Sequence, residues 1–253
     1  MRPNTLRHLH RDGRTIVNGW LSINSPYAAE LAAHQGYDAL TVDTQHGMVG
    51  FEGAVAMFQA IATTPAIPMA RPSENSPAEI MRLLDAGAYG IICPMISSAG
   101  DAERLVAACR YPPAGSRSFG PARGLLYGGL DYFAGANAEV LVFAMIETRA
   151  ALDNLDAILD TPGLDGIYIG PNDLSIEMGC PPRNEPDDPT VASAIARARE
   201  GATRRGQIAG IFCSDGAAAA RRAAEGFHLV TPGNDAALFR ATLSANVKAA
   251  RGG

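Results

Sequence analysis

Eight short apolar runs recur along the 253-residue chain, and amphipathic segments separate them. The runs have the length and the β-branched content of strands that are buried on both faces. They cover residues 15–23, 39–43, 66–71, 90–95, 140–146, 166–169, 208–213 and 227–231. Because strand and helix alternate from end to end, the pattern predicts an α/β protein of the (β/α)8 TIM-barrel type, with its active-site groups at the carboxyl ends of the strands.

The segments between the runs carry apolar residues at three- and four-residue spacing, which is typical of helices. They cover residues 26–34, 52–62, 78–86, 101–110, 151–163, 191–204, 217–224 and 236–250. Several stop just before a glycine, where a left-handed helix cap is least costly, at Gly36, Gly87, Gly206 and Gly226. Two stretches break the alternation: 111–138 is a long connection rich in Gly, Pro and aromatics, and 180–189 is predicted to be an exposed loop. With no internal repeat or linker, residues 1–253 are expected to form a single domain.

Composition excludes several classes of protein. The net charge is −5 and no basic stretch is interleaved with aromatics, so a nucleic-acid partner is not expected. No apolar run approaches the roughly 20 residues that span a bilayer, and the first ten residues do not resemble a signal peptide, which predicts a cytoplasmic protein without a membrane segment. Four scattered cysteines suggest neither a disulfide framework nor a zinc site.

Lysine is nearly absent from the chain. Of the 21 basic residues, Lys248 is the one lysine, and it lies close to the carboxyl terminus. A mechanism in which a lysine at a strand end forms a Schiff base therefore has no candidate residue. Carbonyl chemistry in this chain would need a metal ion instead.

Two apolar runs, 140–146 and 166–169, each end in a polar cluster that contains a carboxylate. Glu147 follows the first run, and Asp173 closely follows the second. Since a helix-like segment separates the runs, the strands should be parallel neighbours, and both acids should leave the sheet at the same edge. Adjacent carboxylates repel each other unless a cation lies between them, and oxygen ligands suit Mg²⁺ or Mn²⁺. The pair predicts a metal site; the alternative is that Asp173 caps a short turn at 174–178.

Two further polar residues follow predicted strands. His46 lies in a polar cluster after the second strand, on the expected active face, where it is the natural general base. Arg71 ends the third strand and precedes a proline, so its guanidinium is well placed to bind a carboxylate or enolate oxygen. An ion pair between Arg71 and Asp43 or Asp173 is the alternative. Asp85 ends a predicted helix, where a negative charge opposes the helix dipole.

Seven motifs in order resemble the HpcH/HpaI class II aldolases, a family that includes 4-hydroxy-2-oxoheptanedioate aldolase and 2-keto-3-deoxyglucarate aldolase. The resemblance runs from about Gly19 to the carboxyl terminus. The motifs are Asp43-Thr-Gln-His-Gly, Ala70-Arg-Pro, Leu83-Leu-Asp-Ala-Gly-Ala, Arg110-Tyr-Pro-Pro-Ala-Gly-Ser-Arg, Ser118-Phe-Gly-Pro-Ala-Arg, Ile146-Glu-Thr and Ile169-Gly-Pro-Asn-Asp-Leu-Ser.

The resemblance implies a divalent metal ion, Mg²⁺, Mn²⁺ or Co²⁺, and no organic cofactor. Glu147 and Asp173 would bind the ion, which would chelate the carboxylate and keto oxygens of pyruvate or hydroxypyruvate. An aldehyde would be the second substrate, and reversible cleavage would break the bond between carbons three and four. The backbone around Asn172 would contact the donor carboxylate.

The same resemblance assigns roles to the remaining polar residues. His46 looks like the family base, and Asp85 like the acid that raises its basicity. Arg71 resembles the arginine that stabilises the developing enolate or aldolate oxygen. Family members assemble as hexamers in which the last helix packs on a neighbour, so we expect a homo-oligomer in which helix 236–250 contacts another subunit.

The chain departs from the family pattern at two positions, where Gln45 stands for a common glutamate and Met145 for a common glutamine. These departures leave the preference among 2-oxo acids open. Trp20 and Phe212 are predicted to form apolar walls of the substrate site, with core packing as the alternative. Two other functions remain: a CoA-thioester lyase of the citrate lyase β-subunit or malyl-CoA type, and a non-catalytic barrel that binds a 2-oxo acid.

Overall fold

Eight parallel strands close into one barrel in a computed structural model that describes residues 1–252. The strands are β1 (Ile16–Leu21), β2 (Ala39–Asp43), β3 (Ile67–Arg71), β4 (Gly90–Cys93), β5 (Leu141–Ile146), β6 (Gly166–Ile169), β7 (Ile208–Cys213) and β8 (Leu229–Pro232). Each strand pairs with the next in sequence, and β8 returns to pair with β1. The predicted (β/α)8 barrel is thereby confirmed, with each strand within a few residues of its predicted position.

Thirteen helices occur in residues 1–252, most of them on the outside of the barrel. They are α1 (Thr5–Arg11), α2 (Pro26–Ala33), α3 (Phe51–Ile61), α4 (Pro77–Asp85), α5 (Ala99–Cys109), α6 (Ala122–Gly128), α7 (Tyr132–Glu139), α8 (Arg149–Asp153), α9 (Leu155–Leu159), α10 (Pro171–Glu177), α11 (Pro189–Arg204), α12 (Gly216–Ala224) and α13 (Asp235–Ala250). The four glycines predicted to cap helices all have positive φ angles, between 69° and 111°. In the described part of the chain, no helix combines the length and the apolarity needed to cross a membrane.

A layer of paired polar side chains crosses the barrel interior. Asn18 donates to Thr231 at 3.0 Å and accepts from Thr41 at 3.0 Å, and the Tyr168 hydroxyl donates to Thr231 at 2.7 Å. All four residues are fully buried. A buried polar group is tolerated when it is hydrogen-bonded, so this network lets polar side chains fill the barrel beneath the active face.

The amino-terminal helix α1 covers the opposite end of the barrel, and the sequence pattern did not predict it. Asn4 caps α1 and is fully buried; its amide donates to the carbonyl oxygens of Tyr89 and Glu139. At seven residues the helix is too short to show a clear period, and tertiary contacts stabilise it.

The long connection 111–138 is not irregular throughout, because α6 and α7 form within it. Both helices are short, and they begin without a side-chain cap. The Arg117 side chain is fully buried between them and the barrel, and its guanidinium lies over the ring of Tyr111 at 4.6 Å. These helices therefore depend on packing that the local sequence does not reveal.

The predicted helix 151–163 is wrong as a single element, because the chain forms α8 and α9 with a break at Asn154. The Asn154 amide donates to the carbonyl oxygens of Ser97 and Ala150. Side chains that bond the backbone locally compete with helix continuation, which accounts for the break.

Candidate active site

A cavity of about 630 Å³ opens at the carboxyl ends of the strands. Its walls come from residues of β1, β2, β3, β5, β6 and β7 and from the segments that follow β1, β2, β6, β7 and β8. The residues that line it are Trp20, Ser22, Ile23, Asn24, Asp43, His46, Met48, Arg71, Met145, Tyr168, Gly170, Pro171, Asn172, Asp173, Asn184, Phe212, Ser214, Gly233, Asn234, Ala236 and Ala237. Most of the residues predicted to act on substrate therefore share one cavity.

Asp43 is the most connected side chain in this cavity. Its carboxylate accepts hydrogen bonds from Arg71 Nε at 2.8 Å and Arg71 Nη2 at 2.6 Å, and from Trp20 Nε1 at 3.1 Å. The backbone N–H groups of Gln45 and His46 also donate to it, at 3.1 and 3.2 Å. Burial alone would raise the pKa of Asp43, but the hydrogen bonds and the charge of Arg71 outweigh it and hold the pKa below its usual value.

Asp43 holds the guanidinium of Arg71 side-on. The ion pair with Asp43, which the sequence left as an alternative for Arg71, therefore forms in the structure. The strand register places Asp43 and Arg71 opposite each other at the ends of β2 and β3. The guanidinium lies 4.9 Å from the ring centroid of Trp20, which in turn stacks on Tyr168 at 5.4 Å. Asp43 engages the N–H of Nε and one N–H of Nη2, so within residues 1–252 both N–H groups of Nη1 and the second N–H of Nη2 form no hydrogen bond.

Glu147 lies just behind the cavity wall, 2% exposed, at the end of β5. Its Oε1 accepts the backbone N–H of Met95 at 2.8 Å, and Met95 adopts a left-handed φ of 57° to present it. Within residues 1–252, Oε2 accepts no hydrogen bond. A Cβ atom on Gly170 would lie 2.6 Å from that oxygen, so the glycine leaves it room. Burial, and then the charge of Asp173, raise the pKa of Glu147, against the opposing effects of the Met95 N–H and Arg71.

Asp173 occupies the first turn of α10, not the position of a helix cap. The helix begins at Pro171, with Gly170 before it, and no side chain caps its first turn. The alternative in which Asp173 caps a turn at 174–178 is therefore wrong. Within residues 1–252 its exposed carboxylate forms neither a hydrogen bond nor an ion pair, although a negative charge at a helix start is favourable.

The donor set at this edge fits a hard divalent cation. Neither Glu147 Oε2 nor the Asp173 carboxylate has a hydrogen-bond or ion-pair partner in the described residues, and the charge of Asp173 acts on Glu147. No group of three or more His, Cys, Asp and Glu suited to a metal occurs in the described residues. The protein would therefore supply two carboxylates and leave the remaining coordination positions to substrate and water.

His46 is exposed at the cavity, and its imidazole makes no hydrogen bond within residues 1–252. Its backbone N–H donates to Asp43, so the turn that carries the imidazole is fixed by the same carboxylate that holds Arg71. The turn is tight, since a Cβ on Gly47 would lie 2.2 Å from the Asp43 carbonyl oxygen.

Asp85 does not contact His46 within residues 1–252, so its role as the acid that raises the basicity of His46 stays a prediction. Its carboxylate accepts a hydrogen bond from Arg117 Nη2 at 2.8 Å, and it is not among the residues that line the cavity. Burial raises the pKa of Asp85 even though Arg117 opposes the shift. The negative charge at the end of α4, which opposes the helix dipole, is offset by the ion pair with the buried Arg117.

The structure places Asn172, Trp20 and Phe212 in the cavity lining, and the rings of Trp20 and Phe212 meet edge to face at 5.9 Å. Sequence reasoning missed the contribution of Met95, because a left-handed backbone at a methionine has no sequence signal. It also missed Asn184, which belongs to the loop predicted to be merely exposed.

Residues 17–242 match the family model described as HpcH/HpaI aldolase/citrate lyase. The chain belongs to this family. The match covers the whole barrel except Ile16, the first residue of β1, and includes every cavity residue named above, so membership confirms the resemblance drawn from the seven motifs.

Similar proteins of the family cover nearly the whole chain. A protein of Rhizorhabdus wittichii named hydroxypyruvate/pyruvate aldolase is 43% identical over 94% of this chain and 95% of its own length. A protein of Salmonella dublin named 4-hydroxy-2-oxo-heptane-1,7-dioate aldolase is 38% identical over 93% and 90%. A crystal structure of a family member from Burkholderia cenocepacia superimposes with a TM-score of 0.89 at 33% identity, over 97% of this chain and 99% of that one.

Proposed function

We propose that this protein catalyses the reversible aldol addition of a pyruvate-type donor, pyruvate or hydroxypyruvate, to an aldehyde. The observation that carries the proposal is the pair of carboxylates, Glu147 and Asp173, whose open oxygens lie at the same edge of the barrel as Arg71 and His46. Similarity to relatives named as aldolases of pyruvate and hydroxypyruvate supports the same donor class.

Glu147 and Asp173 would hold a divalent cation, Mg²⁺, Mn²⁺ or Co²⁺. Bound there, the ion supplies Lewis acidity toward the keto group of the donor. The chain has no lysine at a strand end with which to activate a ketone covalently, since Lys248 lies on α13. By holding that ion, the two carboxylates would serve the role that a Schiff-base lysine has in other carbonyl chemistry.

Arg71 stabilises the negative charge that develops on the keto oxygen as a proton leaves C3 of the donor. Its Nη1 carries two donors that Asp43 does not engage, and Asp43 fixes the plane of the guanidinium before the substrate arrives. A pre-oriented donor lowers the barrier because it costs no reorganisation when the charge forms.

His46 takes the proton, directly or through a water molecule. When the donor carbon has bonded to the aldehyde carbon, the same imidazole returns the proton to the new oxyanion, and the cleavage direction reverses both transfers. The backbone around Asn172, at the start of α10, contacts the donor carboxylate, where the helix end favours an anion. Trp20 and Phe212 form the apolar walls that limit water around the reacting atoms.

The test is aldehyde-dependent consumption of pyruvate or hydroxypyruvate by purified protein, with and without added Mg²⁺ or Mn²⁺. We expect turnover that requires the ion and is lost in Glu147→Ala. Glu30→Gln, which changes an exposed acid on α2, is the matched control and keeps wild-type activity. Turnover that persists in Glu147→Ala or in the presence of a chelator would overturn the proposal.

We further propose that the protein works as a homo-oligomer, a hexamer, in which α13 packs on another subunit. No residue of α13 is buried in the single chain. Leu238, Phe239, Leu243 and Val247 present 45% to 59% of their surface to solvent along this one helix. A contiguous apolar face of this kind marks a protein contact.

A further inference from the structure

The turn between β2 and α3 that carries His46 contains no helix or strand, and hydrogen bonds hold it on both sides of the histidine. On one side, the Asp43 carboxylate accepts the backbone N–H of His46 at 3.2 Å. On the other side, the backbone N–H of Met48 donates to the carbonyl oxygen of Ser22 at 2.9 Å. The imidazole therefore lies between two attachments, and the second one belongs to the segment that follows β1.

Ser22 is held in turn by the carboxylate of Asp235, the first residue of α13. Asp235 Oδ1 accepts the backbone N–H of Ser22 at 2.8 Å and the Ser22 hydroxyl at 2.7 Å. Oδ2 accepts the backbone N–H of Ile23 at 3.1 Å, and Oδ1 also accepts the backbone N–H of Ala236 at 2.8 Å. Hydrogen bonds to an ionised acceptor are the stronger ones, and three of these four join the segment after β8 to the segment after β1.

The contact between Ser22 and the turn of His46 is also tight. A Cβ atom on Gly47 would lie 3.1 Å from Ser22 Cα, so the glycine next to His46 packs directly against Ser22. Closely packed atoms transmit a displacement to their neighbours. A shift of Ser22 would therefore reach His46 both through this contact and through the hydrogen bond from Met48.

We infer that Asp235 is a positioning residue for the proposed base. Asp235 is not among the residues that line the cavity, yet by holding Ser22 it sets where the imidazole of His46 lies relative to the donor. The inference rests on the aldol function proposed above, in which His46 moves the proton at C3. A base acts on a proton within hydrogen-bond reach, so a shift of its turn lowers the rate of proton transfer more than it lowers donor binding.

A role limited to attaching α13 is the alternative for the Asp235 carboxylate. No residue of α13 is buried in the single chain, so the hydrogen bonds of Asp235 contribute to holding the start of this helix. In that case, substitution of Asp235 would lower stability without acting on proton transfer through His46. A measurement of proton transfer at the donor alone therefore separates the two roles.

The experiment follows the exchange of the C3 protons of pyruvate by NMR in D2O, with Mg²⁺ and without an aldehyde. We expect Asp235→Ala to lower the rate constant at saturating pyruvate by about 30-fold and to leave the half-saturating pyruvate concentration within about threefold. Asp235→Asn keeps an acceptor oxygen for Ser22 and should exchange within about fivefold of the wild-type rate. Asp188→Ala, the matched control, removes an acid that caps α11 through the Thr190 N–H and should exchange at the wild-type rate.

Two further variants test the path through Ser22 and His46. Ser22→Ala removes the hydroxyl bond to Asp235 and keeps the backbone donors, so the exchange rate constant should fall by about threefold to fivefold. In a His46→Ala background the residual exchange does not use the imidazole. Adding Asp235→Ala to that background should lower the residual rate by less than about twofold, because the two residues act on one step.

Two outcomes would overturn the inference: near-wild-type exchange by Asp235→Ala, or the same fold loss from Asp235→Ala whether or not His46 is present. The second would show that Asp235 acts on the fold and not through the imidazole. If Asp235→Ala does not fold, Ser22→Ala decides, and exchange at the wild-type rate in that variant would overturn the inference. Wild-type protein that does not exchange the C3 protons, or that exchanges them without the metal ion, would instead overturn the proposed function, so the two failures are distinguishable.

Discussion

Asp43 holds Arg71 by two hydrogen bonds, 2.8 Å to Nε and 2.6 Å to Nη2, and the same carboxylate accepts the backbone N–H of His46. One buried acid thus sets the position of both the proposed oxyanion donor and the turn that carries the proposed base. Asp43 itself faces the cavity but has its oxygens engaged by the protein, which makes it a positioning residue.

Substitution of Asp43 by Asn should reduce catalysis much more than donor binding. The amide turns one acceptor into a donor that opposes the Arg71 N–H groups, so the guanidinium loses its fixed plane. We expect the rate of proton exchange at C3 of pyruvate, followed by NMR in D2O, to fall by about 100-fold. Trp20→Phe, which removes one hydrogen bond to Asp43 and keeps an aromatic surface, should cost less. Exchange at the wild-type rate in Asp43→Asn, with Mn²⁺ binding retained, would contradict the positioning role.

Gly170→Ala should weaken metal binding without unfolding the barrel. The new methyl group would lie 2.6 Å from Glu147 Oε2, the far end of a flexible side chain, so the carboxylate can move away from it. The movement takes a proposed ligand out of place, and we expect the Kd for Mn²⁺, measured by calorimetry, to rise by about tenfold or more. Gly216→Ala, where the added carbon meets nothing within 4 Å, is the control. Equal affinities in the two variants would remove Glu147 from the metal site.

Stability should decline in mild acid through His228. Burial lowers its pKa, and His10 and Arg199 lower it further; its Nδ1 also accepts the Ala209 N–H at 3.0 Å, which requires the neutral ring. As the pH falls below about 6.5, the unfolded chain takes up a proton that the folded chain does not, so the free energy of unfolding decreases until the lowered pKa is passed. Above that pH range His228 is neutral in both the folded and the unfolded chain, so it makes no pH-dependent contribution to the free energy of unfolding.

The measurement is the Tm at closely spaced pH values between about 7.5 and 5. We expect a smaller decline in Tm for His228→Asn than for wild type, and an unchanged decline for His34→Asn, which alters an exposed histidine at the end of α2. Parallel plots of Tm against pH for wild type and His228→Asn would show that His228 does not contribute to the pH dependence of stability.

Polar substitutions on α13 should dissociate the proposed oligomer. Phe239→Ser combined with Leu243→Ser removes apolar side chains that are 59% and 49% exposed in the single chain, so it should not harm the barrel. We expect light scattering after gel filtration to report a smaller assembly for this variant and an unchanged mass for Ala245→Ser. An unchanged mass in the double variant would place the contact elsewhere.

The sequence predicted the barrel because each strand is buried on both faces and therefore shows as a continuous apolar run. It also brought together Glu147, Asp173, Arg71 and His46, since parallel strands end at one edge. It could not predict the ion pair between Asp85 and Arg117, because Arg117 lies in the long connection 111–138, whose helices depend on tertiary packing. Nor could it predict that Asn184 lines the cavity, because its position depends on how the loop 180–189 folds. The side-chain carbonyl oxygen of Asn184 has no hydrogen-bond partner in the described residues.

The polar layer inside the barrel has a consequence for efforts to alter this protein. Tyr168 lies under Trp20 at the cavity and is anchored through Thr231 to Asn18, which never touches the cavity. A library restricted to cavity-lining positions would therefore leave one end of this chain of contacts fixed. Reshaping the surface on which substrates rest calls for varying Asn18, Thr41 and Thr231 as a group, because each one completes the hydrogen bonds of another.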